Sequence, residues 1–255
     1  MRPLDLAEWF ELGPDTDQLL ARKRELCEAH RSTVFVTLDD VDDEAREVAE
    51  AIAEHVGRFH PGRGEPRLDP DLHPLDAAAR LVPEDLVMMV ERDGRLVVGA
   101  GSVCFPNRWD LRSKLGRTLA EVHAPVARLN DQLGPAIDAF LARLRPDRAY
   151  WRLGWGIIDT DDPYTPLDGT GGARPVAPGP EQLYVRVERE TLRRFPATRC
   201  VLFTIRTYLA PLRAVAAEPS AAQRLAAAVG TMPDDVRGYK DLQELGDDVV
   251  FWLRS

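Results

Sequence analysis

Histidine and cysteine are the side chains best able to hold a metal or attack a substrate, and this 255-residue chain has five of the first and three of the second. Cys27, Cys104 and Cys200 are far apart and form no Cys-x-x-Cys pair, so zinc, iron-sulfur and dithiol chemistry find no motif. His55, His60 and His73 could surround a metal, but their spacing matches no zinc pattern and the segment between them is polar. His123 is set differently, in Val122-His123-Ala124-Pro125-Val126. Pro125 disfavours the α conformation at Ala124, which puts His123 at a helix exit. An imidazole there can present one nitrogen to an iron ion. It can equally serve as a charge partner of the helix C-terminus or as a hydrogen-bonded core residue. Cys104 is the rival iron ligand, although its apolar strand surroundings suit an inert buried thiol.

Arg186, Arg189 and Arg206 lie on strand-like runs. An inward arginine needs an anion, and its planar fork matches a carboxylate held by two oxygens. An ordinary ion pair with Glu188 or Glu190 would serve as well. Trp151, Trp155 and Tyr208 alternate along similar runs; their ring faces could attract an alkylammonium ion or simply fill a core. The common nucleotide and hydrolase signatures are absent: no Gly-x-Gly-x-x-Gly after a strand, no Gly-Lys-Ser/Thr phosphate loop, no His-Glu-x-x-His and no Gly-x-Ser-x-Gly.

The elements that must position these residues follow from periodicity. After Pro14, Asp15 or Thr16 can cap a helix with Leu19, Leu20, Leu26 and Cys27 at helical spacing, and a second helix follows the acidic run Asp39 to Asp43 with Ala45, Val48, Ala49, Ile52, Ala53 and Val56. Four prolines and three glycines across 57–76 predict loop. Leu86–Glu91 and Leu96–Phe105 are β-prone runs joined through Asp93-Gly94, a strong hairpin signal. Gly99 and Gly101 in the second run mark a bulge or a close approach by backbone or ligand, a flat cofactor being one such ligand. A helix is expected over 110–123 and another over 129–144, with Leu133, Ile137, Phe140, Leu141 and Leu144 inward. Strands follow at 150–159, 183–187 and 201–209, with a Gly/Pro-rich loop over 160–180. Five strands without long helical crossovers predict an α+β fold with an antiparallel sheet and flanking helices. The expected organisation is one domain over 1–255: a helical part over about 1–85, a sheet core over about 86–213 and a helical tail over about 219–255.

Composition narrows the class. Hydrophobic residues at 44% and charged residues at 29% are ordinary for a folded water-soluble domain. A net charge of -9 argues against nucleic acid, which needs a clustered basic surplus, and tolerates a cationic substrate. No apolar run reaches the roughly 20 residues of a membrane span, and the first residues lack a signal-peptide core, so no membrane partner and a cytoplasmic location are expected.

Several blocks together carry a resemblance. They are Lys114 to Val126 around His123, Val103-Cys104-Phe105-Pro106-Asn107-Arg108-Trp109, Trp151-Arg152-Leu153-Gly154-Trp155, Val185 to Arg194, and Phe203-Thr204-Ile205-Arg206-Thr207-Tyr208, with an opening Arg2-Pro3-Leu4-Asp5 and Trp9. From residue 2 to about 213 the chain resembles the haem-dependent oxidative N-demethylase family. The resemblance implies a catalytic subunit with a PAS-like fold that binds haem b through the iron ligand His123. Such a subunit removes a methyl group from a small amine with O2 and electrons from a separate reductase. Arg186, Arg189 and Arg206 would then meet the haem propionates, and Trp151, Trp155 and Tyr208 would line the substrate pocket. Ala127 stands where the family usually has proline, and Gly154 and Gly156 where it usually has asparagine and serine. A second reading is a non-catalytic haem PAS-like sensor or gas-binding protein.

Overall fold

The computed structural model describes residues 1–124, 129–167 and 178–255, with the backbone alone for 129–133. Its strands are β1 (Arg2–Leu4), β2 (Phe35–Thr37), β3 (Asp85–Arg92), β4 (Arg95–Ser102), β5 (Ala149–Ile158), β6 (Tyr184–Arg194) and β7 (Val201–Pro211). They form one sheet of order β1-β5-β6-β7-β3-β4-β2 in which every neighbouring pair is antiparallel. The expected α+β class with an antiparallel sheet is therefore found. The five long strands occupy the five predicted runs. The two additions, β1 and β2, have three residues each, too few to carry a period, and they form against β5 and β4.

Local chemistry explains the joints. At the β3–β4 turn Asp93 (φ 51°) and Gly94 (φ 73°) both adopt left-handed backbone, as a two-residue hairpin loop of this twist requires. The β3–β4 ladder shifts register between Met88 and Met89, leaving Gly99 out of the pairing as a bulge. A Cβ at Gly99 would lie 2.8 Å from the Val90 methyls, and one at Gly101 would lie 2.7 Å from Leu111. Protein side chains, not a ligand, make the close approach at these two glycines.

The helices are α1 (Thr16–Ala29), α2 (Arg31–Val34), α3 (Asp42–Phe59), α4 (Pro74–Ala79), α5 (Leu119–Val122), α6 (Leu129–Ala142), α7 (Leu212–Ala216), α8 (Pro219–Gly230), α9 (Asp234–Tyr239) and α10 (Gly246–Arg254). Two expectations are corrected. The predicted loop over 57–76 is shorter, because α3 continues to Phe59 and α4 begins at Pro74, where the His73 ring accepts the Leu75 N–H at 3.2 Å. Proline is tolerated at that first helical position, since its missing N–H would have had no partner there. The predicted helix over 110–123 is broken into a 3-10 turn at Leu111–Lys114 and the single turn of α5. Gly116 at φ 72° ends the first piece, and a capping box restarts the second: Thr118 Oγ1 accepts the Glu121 N–H while Glu121 accepts the Thr118 N–H.

Register divides the strands β5, β6 and β7 into two faces, because residues directly opposite in a ladder project to the same side. Trp151, Thr191 and Thr204 form one row, followed by Leu153, Arg189 and Arg206, then Trp155, Val187 and Tyr208. This face meets the N-terminal segment: Trp151 packs on the cluster that holds Trp9, Phe10, Ile52 and Leu202. Its far end, with Trp155, Ile157 and Val185, packs on α7, α8 and α10. The opposite face carries Tyr150, Leu192 and Phe203, then Arg152, Glu190 and Ile205, then Gly154, Glu188 and Thr207, then Gly156, Arg186 and Leu209. Its apolar first row packs against Leu119 of α5 and Ile137, Phe140 and Leu141 of α6.

In the N-terminal core His55 sets a pH dependence of its own. His55 on α3 is buried against Trp9 and Phe10, its Nε2 has no partner, and burial pushes its pKa down to about 4. A histidine neutral in the fold and chargeable when unfolded costs stability as pH falls from about 6.5 towards about 4. His55→Leu is therefore expected to be about 1–2 kcal/mol less pH-sensitive than the parent between pH 7 and pH 5, read as the change in urea-unfolding free energy. Equal sensitivity in both proteins would rule this out.

Candidate active site

His123 follows α5 directly. Its Nδ1 lies 3.0 Å from the Leu119 carbonyl, and because a carbonyl only accepts, Nδ1 carries the proton. Nε2 is then the lone-pair nitrogen, and it has no hydrogen-bond partner among the described residues. Burial lowers the His123 pKa below the ordinary imidazole value, which keeps the ring neutral and able to ligate. The Lys114 ammonium donates to the Val122 carbonyl at 3.3 Å and so ties down the last turn before the histidine. Leu119, one turn before His123, packs on the same apolar cluster as Tyr150, Leu192 and Phe203, which places this segment over the second sheet face. Pro125 and Ala127 lie outside the described residues.

The next row of that face is charged. Arg152 Nε donates to Glu190 Oε2; the arginine side chain is 53% exposed and the glutamate 9%. Burial raises the Glu190 pKa, and the Arg152 charge opposes that rise. Beyond this pair β5 carries two glycines on this face. A Cβ at Gly154 would come to 3.0 Å from Glu190 Oε1, and one at Gly156 would meet nothing within 4 Å. The face thus has a trough at Gly156, free of side chains among the described residues, while Glu190 and Glu188 fill the space over Gly154.

Arg186, at the far end of the trough, is 1% exposed. Its Nε donates to Glu188 at 2.7 Å, Nη1 to the Pro163 carbonyl at 3.1 Å, and Nη2 to the Phe105 carbonyl and Thr207 Oγ1. Arg189 and Arg206 lie on the opposite face. Arg189 donates to the Trp9 and Glu8 carbonyls and pairs with Glu11, and Arg206 holds both oxygens of Asp15. The three arginines expected to act together are therefore divided between two faces, each engaged by protein acceptors.

Trp151, Trp155 and Tyr208 share the N-terminal face but not one pocket, since Trp151 packs with the α3 cluster and Trp155 with the C-terminal helices. Each ring already faces a cation of the protein. Arg2 and Arg189 lie 5.8 Å from the Trp151 ring, Lys240 lies 5.2 Å from Trp155, and Arg206 lies 4.7 Å from Tyr208, whose hydroxyl donates to Glu11. Cys104 is wholly buried with its sulfur 4.0 Å from that of Cys27. The Cys27 contact and burial hold its thiol well above the usual range, so it stays protonated. Of the other histidines, His55 and His60 are neighbours at 5.5 Å between ring centres, whereas His73 caps α4. Among the described residues no group of three or more His, Cys, Asp or Glu side chains is placed to hold a metal ion, and no helix is long and apolar enough to cross a membrane.

A single neutral histidine with one oriented nitrogen, unengaged among the described residues, has the chemistry to serve as sole side-chain ligand to a flat iron cofactor. The family model described as haem-dependent oxidative N-demethylase, alpha subunit-like, matches residues 1–250. The chain belongs to this haem-dependent oxidative N-demethylase, alpha subunit-like family. Haem dependence thus comes with the family, and the local chemistry of His123 fits it. A metal-ligating histidine normally donates its other ring N–H to a carbonyl or carboxylate, as Nδ1 does here to Leu119.

Sequence reasoning missed the partners, not the family. Arg152, Lys114 and the Thr118–Glu121 cap surround His123, while Glu11 and Asp15 from the N-terminal segment engage the opposite-face arginines. The capping box was readable as Thr-x-x-Glu. Pairing across more than 170 residues was not.

Proposed function

We propose that this chain is the haem-binding catalytic subunit of an enzyme that oxidatively removes a methyl group from a small amine, with haem b held by His123. The observation that carries the reading is the His123 ring, oriented by Leu119 with Nε2 unengaged among the described residues, in a chain of the N-demethylase family. Overall, one N-methyl amine, one O2, two electrons and two protons give the demethylated amine, formaldehyde and water. Haem b would supply the activation of O2. The chain itself orients the ligand, through the Leu119 carbonyl and the α5 cap, and leaves space over Gly156 for a flat group. Two electrons must enter from outside, so a separate reductase is part of the proposal.

The sheet supports the PAS-like reading. Numbered in chain order, the five long strands run 3-4-5-1-2 in one antiparallel sheet with helices around it. Its continuity from β1 to β7 supports one haem-binding unit over 1–255.

The test gives the haem-loaded protein, with a flavin or iron-sulfur reductase, a panel of mono-, di- and trimethylamines. One formaldehyde released per O2 consumed, well above a His123→Ala blank, is the expected result. Binding of O2 or CO without consumption of any amine would replace the reading with a haem sensor.

A further inference from the structure

We propose that Arg152, not Arg186, Arg189 or Arg206, supplies the cation that meets the acid groups of a planar ligand held at His123. This rests on the haem reading above and goes further, by assigning the anion-binding residue of the same site. The first step is exclusion by geometry. Arg189 and Arg206 project from the face that carries Trp151 and Trp155, with their guanidinium groups on the Trp9 carbonyl and on Asp15. Arg186 is on the correct face, but its Nε, Nη1 and Nη2 all donate to protein oxygens, two of them main-chain carbonyls. A carboxylate could reach it only by leaving those carbonyls without donors.

Arg152 differs on each count. It stands on β5 one row from Tyr150, whose row packs with Leu119, so it is next to the segment that presents His123. Its Nε is taken by Glu190, while its two terminal nitrogens donate to no described residue and the side chain is half exposed. Glu190 thus fixes the guanidinium plane by one edge and leaves the other free, the edge that can grip a carboxylate through two parallel N–H bonds. Four residues on along the same face, Gly156 leaves the space into which a flat ligand would extend, with nothing among the described residues within 4 Å of where its Cβ would be. Lys114, which donates to the Val122 carbonyl, adds a second positive charge to the segment that presents His123.

The test is a haem titration followed in the Soret band, which needs no turnover. Arg152→Leu alone would strand Glu190 as a buried carboxylate, so the informative comparison is Arg152→Leu/Glu190→Gln against Glu190→Gln. The double variant is expected to bind haem about tenfold more weakly, as loss of a charge-assisted pair predicts, with a His-ligated spectrum unchanged in shape. Arg152→Lys should fall between the two, keeping charge without the fork. Iron protoporphyrin dimethyl ester, whose acid groups are masked, should bind both proteins of the comparison equally. Equal haem affinity in the two, or an undiminished difference with the ester, would overturn the assignment. If the parent protein binds no haem, the proposal fails together with the reading beneath it. If His123→Ala keeps affinity and spectrum while the Arg152 comparison behaves as expected, only the histidine assignment fails.

Discussion

His123→Ala is expected to lose the Soret spectrum of the His-ligated protein and at least about a hundredfold of its haem affinity, since even an outer partner of a ligating histidine is worth 10–100-fold. The expectation follows from the arrangement of two nitrogens. Nδ1–H is committed to Leu119, so the ring cannot turn without losing a hydrogen bond, and the lone pair on Nε2 is held in one direction. Truncation removes that lone pair and leaves a hole of roughly imidazole size beside the trough. Free imidazole added at millimolar concentration should enter it and restore the spectrum, a rescue that a general folding defect would not allow. The side chain is only half buried and belongs to none of the four apolar clusters, so thermal unfolding of the apo protein should move little. An unchanged Soret band at full occupancy would remove His123 from the site.

What was legible in the chain follows the reach of each signal. Asp93-Gly94 between two apolar runs sets a local twist that nothing distant can override, and the hairpin formed as read. The break at Gly116 was also local, written in the glycine and in Thr118-Leu119-Ala120-Glu121, but a continuous apolar spacing of Leu115, Leu119 and Val122 mimicked one helix across it. The separation of the arginines was half legible. Positions 186 and 189 differ in parity, and on one strand odd and even residues face opposite sides whatever the register. That parity alone separates Arg186 from Arg189. Placing Arg206 beside Arg189 and Arg152 beside Glu190 needed the β5–β6–β7 register, which pairs residues as far apart in the chain as Ala149 and Arg193 and is fixed by no local motif. Glu11 and Asp15 were harder still, because a charged residue in a polar N-terminal stretch looks the same whether solvated or paired with a buried guanidinium.

Arg186→Ala is expected to cost about 3–5 kcal/mol of stability, the range for removing one partner of a buried charged network. The guanidinium does more than neutralise Glu188. It joins β6 to two separate loops through the Phe105 and Pro163 carbonyls and to β7 through Thr207. Its removal leaves two carbonyls, a hydroxyl and a carboxylate to find other donors in a region where the arginine itself was 1% exposed. Arg186→Lys should recover little, because one ammonium cannot span acceptors arranged around a planar fork. For a chain of this length such a loss corresponds to a fall in Tm of roughly 6–20 °C. The decisive comparison is between the apo and the haem-loaded protein. A residue whose partners are all protein groups should destabilise both by the same amount, whereas a propionate partner should weaken haem binding and leave apo stability nearly untouched. Equal losses in the two forms are the expected result. Loss confined to the loaded form would return Arg186 to the ligand and displace Arg152 from that role.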